Sequence, residues 1–178
     1  MKLVAFNGPP GSGKTTLSRM ILTMLRNKGA TVTTDSFAAP MKHFIAVALG
    51  EQYGQMDKET PREELSGVSV RQFLIALAET HIKPLYSSDI FGRWLKHRVS
   101  QLDPAPDFVL IDDSGFVEEF VALSPLPTFV VQVTRPGKTF KNDSRGYLPH
   151  ADYFFENLGD EDELRANAYN LTMTLLNG

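Results

Sequence analysis

Gly8-Pro9-Pro10-Gly11-Ser12-Gly13-Lys14-Thr15 decides the fold of this chain. The stretch satisfies G-x-x-x-x-G-K-[ST] in full, and its flanks suit it. Leu3-Val4-Ala5-Phe6 reads as a buried strand running into the loop. Leu17, Met20, Ile21, Met24 and Leu25 share one face of a helix leaving it. Glycines let backbone N–H groups crowd around phosphate oxygens. The lysine of such a loop reaches the β- and γ-phosphates, and its hydroxyl residue holds magnesium. Gly8, Gly11, Ser12, Gly13, Lys14, Thr15 and Thr16 are therefore the expected contacts to a nucleoside triphosphate, with Lys14 catalytic and Thr15 a metal ligand.

Outward from the loop, strand-like and helix-like runs alternate. Residues 30–34 form a short, mostly β-branched run and read as a second strand; Met41, Phe44, Ile45 and Ala48 mark a helix after Pro40. The polar stretch 50–67 has no period and reads either as a mobile binding loop or as a surface excursion. Val70, Phe73, Leu74 and Leu77 form one helical face. Ile90, Phe91, Trp94, Leu95, Val99 and Leu102 form the next, which Pro104 and Pro106 end. The continuous apolar run 108–111 reads as a fully buried strand, 128–133 as another, and 153–155 as a short last one. Leu164, Ala168, Leu171 and Leu175 give a closing helix, with Asp160 and Glu161 at its positive end. This alternation predicts one α/β domain over 1–178 around a parallel sheet, with no repeat and no linker.

Composition narrows the function. The chain has 178 residues, 42% hydrophobic and 22% charged, ordinary for a globular protein with its own core. A net charge of -3 gives no electrostatic footprint for nucleic acid. No apolar run approaches the roughly 20 residues of a membrane span. The N-terminus enters the first strand directly, which argues against a signal peptide and for a cytoplasmic protein. Without cysteine there is no disulfide, thiolate catalysis or Cys-ligated zinc, and His43, His81, His97 and His150 show no metal-ligand spacing.

Two aspartates, Asp112 and Asp113, follow the apolar run 108–111, where a carboxylate meets magnesium beside the loop; the sequence leaves open which is nearer. Arg135 follows the strand 128–133, at the strand ends where such sites form. Lys138, Lys141 and Arg145 lie in a Gly- and Ser-containing stretch that reads as a closing lid or as a solvated basic loop. Arg71, Lys83, Arg93, Lys96 and Arg98 read mostly as solvated faces. Asp112-Asp113-Ser114-Gly115 also fits D-x-x-G, but Asn27-Lys28 is followed by Gly29-Ala30 rather than a guanine signature. Asp35 is the natural general base if the phosphoryl acceptor is a hydroxyl.

In this order the motifs resemble the bacteriophage deoxynucleoside monophosphate kinase family, within the P-loop kinases. The segment Asp35-Ser36-Phe37-Ala38-Ala39-Pro40-Met41-Lys42 resembles its turn after strand two. Lys58-Glu59 and Ser69-Val70-Arg71 resemble its Lys-Glu and Ser-x-Arg elements. Asp112-Asp113-Ser114-Gly115-Phe116 with Glu119 resembles its D-D-x-R-F-x-x-E element. Thr134-Arg135-Pro136-Gly137 and Asn157-Leu158-Gly159 resemble its R-P-G and N-x-G loops. The chain departs from the pattern at Gly115 for arginine, Ile75 for glutamine, Ala78-Glu79 for Gly-Thr and Lys83 for arginine, all in the acceptor half.

The resemblance implies a three-layer P-loop NTPase fold with a central, mainly parallel five-stranded sheet. It implies ATP and magnesium as cofactors and a (deoxy)nucleoside monophosphate as acceptor, with no nucleic acid or membrane partner. Lys14, Arg135 and Asp112 would be catalytic, Thr15, Asp112 and Asp113 would hold the metal, and Asn157 would lie near the adenine. Asp35, Phe37, Lys42, Arg71 and Lys83 would bind the acceptor within a helical part at about 36–102, under a lid at about 136–149. A phage-encoded enzyme would work in the host cytoplasm. Two other readings stay open: a kinase acting on a hydroxyl of a nucleoside or small metabolite with Asp35 as base, and a non-catalytic nucleotide-binding module. A homodimer is also open, since apolar residues on the middle helices suit either a core or an interface.

Overall fold

The apolar runs on either side of the glycine loop lie next to one another in the computed structural model, which describes residues 1–141 and 143–178. β1 (Lys2–Asn7) enters the loop and α1 (Lys14–Asn27) leaves it, followed by β2 (Val32–Asp35) and α2 (Ala39–Leu49). A two-stranded antiparallel pair, β3 (Pro61–Arg62) and β4 (Val68–Ser69), precedes α3 (Val70–Ala76). α3 runs through a π-helical turn, Leu77–Ile82, into α4 (Lys83–Leu85). Then come α5 (Ile90–Ser100), β5 (Phe108–Ser114), α6 (Val117–Val121), β6 (Thr128–Thr134), β7 (Tyr153–Glu156) and α7 (Glu161–Asn177).

The main sheet has five strands in the order β2-β5-β1-β6-β7, and every neighbouring pair is parallel. β1 is central, with Val4 beside Leu110 on one side and Phe129 on the other. Successive strand residues face opposite ways, so each strand feeds two cores. Val4, Phe6, Val131 and Val133 meet Leu17, Ile21, Ala168 and Leu171, which closes α1 and α7 onto one face. Leu3, Val109 and Ile111 meet Met41, Ile45, Leu74, Phe91 and Leu95, which closes the middle helices onto the other. The result is the expected three-layer α/β architecture, with all strand C-terminal ends on the edge that carries the glycine loop.

Local chemistry sets the boundaries where the sequence pattern misplaces them. β2 begins at Val32 rather than residue 30, because the Thr31 backbone N–H and hydroxyl both donate to Asp107, at 2.7 and 2.8 Å. β5 continues three residues beyond its apolar run, to Ser114, which pairs with Asn7. Pro40 lies inside the first turn of α2, where its missing N–H costs nothing. α6 has five residues, too few to show a period in the sequence. Leu102 falls beyond α5 and is exposed. The stretch 50–67 is ordered by the β3–β4 pair, by Arg62 bridging Glu51 and Glu64, and by Met56, which is buried in the second core. Asp160 caps α7, accepting from the N–H groups of Asp162 and Glu163 at 2.8 and 3.0 Å. Among the described residues no helix is long and apolar enough to cross a membrane.

Candidate active site

The loop after β1 turns into α1 through Gly13, whose φ of +100° only glycine adopts without strain. A Cβ there would also collide with the Asn157 side-chain amide. Asn157, expected beside an adenine, is 4% exposed and is spent on the loop itself. Its Nδ2 donates to the Ser12 carbonyl at 2.9 Å, and its Oδ1 accepts from the Gly159 N–H at 2.9 Å. Asn157 therefore holds the loop's shape rather than facing a ligand, because burial leaves its amide no outward edge.

Lys14 is buried and folded back on its own loop. Its ammonium donates to the Gly8 and Pro9 carbonyls at 2.6 and 2.8 Å. Its pKa is pushed down to about 8, first by burial and next by the Arg145 guanidinium, against the pull of Asp112 and Asp143. Such a cation gains from any phosphate that replaces those carbonyls.

The two aspartates of β5 part company. The Thr15 hydroxyl donates to Asp112 Oδ2 at 3.3 Å, which places Asp112 on the side of the loop. Asp113 faces the turn after β2 instead. It accepts from the Phe37 and Ala38 N–H groups at 2.9 and 3.2 Å and pairs with Lys42 at 3.0 Å. The expected metal role of Asp113 thus gives way to anchoring a turn, because neighbouring strand residues point to opposite faces. Thr15 and Asp112 offer the hard oxygen donors that magnesium prefers, so the residues fit that ion. Among the described residues no group of three or more His, Cys, Asp or Glu side chains could hold a metal unaided. Phosphate and water oxygens would have to complete its shell.

On the acceptor side the structure rearranges several expectations. Asp35 is gripped by Arg98, with Nε to Oδ2 at 3.1 Å and Nη2 to Oδ1 at 2.9 Å; Arg98 Nη2 also donates to the Ser36 carbonyl at 2.8 Å. Arg98 is thus a fixed partner rather than a solvated face. Phe37 is 3% exposed and packs in the second core with Met41 and Ile45, so it contacts no acceptor. Lys83 is also withdrawn: it pairs with Glu79 at 2.9 Å and Glu119 at 3.0 Å, its ammonium 3.2 Å from the centroid of the Phe116 ring. Burial raises Glu119 to about 7 despite the opposing charge of Lys83. Of the cations expected on the acceptor side, Lys42 and Arg71 are the two not withdrawn in this way. Lys42 also reaches the Ser36 hydroxyl at 2.9 Å, and Arg71 is exposed and paired with Glu59 at 2.7 Å. Tyr53 stands between Lys42 and Lys58, 5.9 and 4.5 Å from its ring centroid, a cluster that no spacing in the sequence announced.

A cavity of about 440 Å³ opens beside the loop between α1, β2 and β5, lined among others by Thr15, Arg19, Asp35, Ser36 and Asp112. Across the sheet, Arg135 is exposed, and its Nη2 lies 3.4 Å from where a Gly159 Cβ would be. In the stretch expected as a lid, the Lys138 stem lies against Gly11 of the glycine loop, and the Arg145 stem lies against Gly115, just past the end of β5.

No protein-family model matches this chain, and no curated protein matches it either. Its shape does have relatives among solved structures. One is the APS kinase CysC of Mycobacterium tuberculosis in complex with AMPPNP and APS: 17% identity, 99% of this chain and 98% of that chain, TM-score 0.56. A cysteine-to-alanine mutant of the same kinase matches at 17% identity, 99% and 97% coverage, TM-score 0.54. A third is the crystal structure of APE1195: 13% identity, 97% and 93% coverage, TM-score 0.51. These likenesses, with the parallel five-stranded sheet and its glycine loop, define the P-loop kinase fold.

Proposed function

We propose that this chain transfers the γ-phosphoryl group of ATP to a (deoxy)nucleoside monophosphate, giving the diphosphate. The observation that carries this reading is the occupation of the site's carboxylates. Asp35 is clamped by Arg98, and Asp113 by Lys42 and two backbone N–H groups, while Asp112 lies beside Thr15. An acceptor hydroxyl needs a base, whereas an acceptor phosphate is already ionised and needs positioning and charge stabilisation alone.

In this mechanism Lys14 exchanges the Gly8 and Pro9 carbonyls for phosphate oxygens. Thr15 and Asp112 would hold magnesium, which when bound would neutralise phosphate charge. Gly8, Gly11, Ser12, Gly13, Thr15 and Thr16 frame the triphosphate. Lys42 and Arg71 grip the acceptor phosphate from the α2–α3 side, Arg71 exchanging Glu59 for it, with Asp35 and Arg98 fixing the floor beneath. Arg135 closes from the β6 end, and the lid at 136–149 shuts out water that would otherwise hydrolyse ATP. Phe37 and Lys83 support this half of the site from within the fold.

The test is ADP release from magnesium-ATP with each common nucleoside and deoxynucleoside monophosphate, and chromatography for the diphosphate. Stimulation by one or a few monophosphates with matching diphosphate is expected. ATP binding without stimulation by any monophosphate would refute the proposal.

A second reading, transfer to a hydroxyl of a small metabolite with Asp35 as base, is favoured by the neighbour solved with AMPPNP and APS and by the cavity between Thr15 and Asp35. It requires Asp35 to leave Arg98. Binding of ATP with no acceptor of either kind would leave a non-catalytic nucleotide-binding module.

A further inference from the structure

Gly115 stands where the family resemblance expects an arginine, and the stem of another arginine, Arg145, passes over that place. A Cβ on residue 115 would lie 2.7, 2.9 and 3.0 Å from Cβ, Cγ and Cδ of Arg145. The arginine stem therefore fills the space that any side chain at 115 would need. Its backbone is stitched down as well. The Gly146 N–H donates to the Gly115 carbonyl at 2.8 Å. Asn7 Nδ2 donates to the Ser114 and Gly146 carbonyls at 3.1 and 2.9 Å, and Asn7 Oδ1 accepts from the Leu148 N–H at 3.1 Å. Residue 145 is thus fixed at the C-terminal end of β5, three residues past Asp112.

The head of the side chain is held separately. Arg145 Nε donates to Asp143 Oδ1 at 2.9 Å and Nη2 to Oδ2 at 2.7 Å, both side chains being largely buried. This two-point grip is how a guanidinium takes a phosphoryl group. Lys14 and Arg145 thus each rest on an internal substitute: Lys14 on loop carbonyls, Arg145 on a carboxylate.

We infer that Arg145 is a catalytic arginine delivered by the lid over Gly115, and that Asp143 holds its guanidinium until the transferring phosphoryl group takes the place of that carboxylate. The inference rests on the phosphoryl-transfer reading above. In the reaction the bond from the γ-phosphorus to the β–γ bridging oxygen breaks and ADP keeps that electron pair, while an acceptor phosphate oxygen bonds to the γ-phosphorus. Arg145 forms no covalent bond and moves no proton; it takes up negative charge on the equatorial oxygens. Glycine at 115 is what lets the arginine come from position 145.

The test uses the full chain, with ADP, magnesium and fluoroaluminate as the mimic of the phosphoryl group in flight. Wild type is expected to bind ADP more tightly when fluoroaluminate is present. Arg145→Ala should keep its affinity for ADP alone, which also shows that it folds, and should lose that gain by at least about tenfold, with kcat down about 10³-fold. Arg145→Lys should restore little, since an ammonium lacks the fork. Gly115→Ala should displace the stem and lower kcat about 10- to 100-fold with ADP affinity kept, on the scale of a 1 Å misplacement. Full fluoroaluminate gain and near-wild-type kcat in Arg145→Ala, or unchanged kcat in Gly115→Ala, would overturn the inference. Wild type showing neither the gain nor turnover with any acceptor would instead bring down the phosphoryl-transfer reading beneath it.

Discussion

Raising the pH from 7 to 9 should weaken ATP binding about tenfold, through Lys14 alone. In the free protein its ammonium is buried against loop carbonyls and beside Arg145, and its pKa is pushed down to about 8. Phosphate oxygens stabilise the charged form, so the pKa in the complex lies well above that value. Binding then takes up a proton wherever the free lysine has lost one. Affinity is level below pH 8 and falls above it, approaching a factor of ten per pH unit. Between pH 7 and pH 9 the protonated fraction of free Lys14 drops about tenfold, worth about 1.4 kcal/mol of binding energy. Magnesium-bound ATP completes its own ionisation below this window and adds no slope. Titration calorimetry at pH 7, 8 and 9 would read the affinity. At pH 8, buffers of different ionisation enthalpy should reveal uptake of about half a proton. Lys14→Met should bind weakly at every pH, with the slope gone. A wild-type affinity that stays flat to pH 9 with no proton uptake would refute this account of the lysine.

Other substitutions probe the supports of the site. Asp35→Asn should cost some thermal stability by loosening Arg98, yet keep turnover within about tenfold. A loss of about 10²- to 10⁴-fold would install Asp35 as a general base and favour a hydroxyl acceptor. Asn157→Ala strands the Ser12 carbonyl and the Gly159 N–H, and should cost about 1–3 kcal/mol in urea denaturation with ATP affinity down about tenfold. Glu119 is raised from 4.5 to about 7, so its contribution to stability is fully present below pH 4.5 and is lost as pH rises through about 7. Glu119→Gln should remove a fall on the order of 2 kcal/mol from the stability profile across that window, read from denaturant midpoints at pH 5 and pH 8.

The fold was legible because its strongest signals are local. The glycine loop lies between a strand and a helix, and the runs 108–111 and 128–133 are continuously apolar, so β1, α1, β5 and β6 could be placed from spacing alone. Short elements without a full period, such as α6 and the β3–β4 pair, carry no such signal. Within the site, the loop and the Asp112–Thr15 contact follow from the motif. Assigning Asp112 to the loop and Asp113 to the turn depends on the pleat of β5, which a run of letters does not reveal. Arg98 looked like surface because its partner Asp35 is 63 positions away. Lys83 looked available for the same reason, its partner Glu119 lying on α6. Phe37 stands beside a motif in the sequence, but the turn that Asp113 fixes carries its ring into the core.

Asn7 also has a thermodynamic consequence for the lid. One buried amide at the end of β1 fastens the chain at Gly146 and Leu148 to the end of β5, so this limb of the proposed lid is ordered by the fold itself. Fixing a residue's backbone costs about 1–2 kcal/mol of conformational entropy. For these residues that loss falls once, during folding, and is not repeated in each catalytic cycle. If the stretch closes over ATP as proposed, it does so like a drawbridge whose hinge the fold has already set.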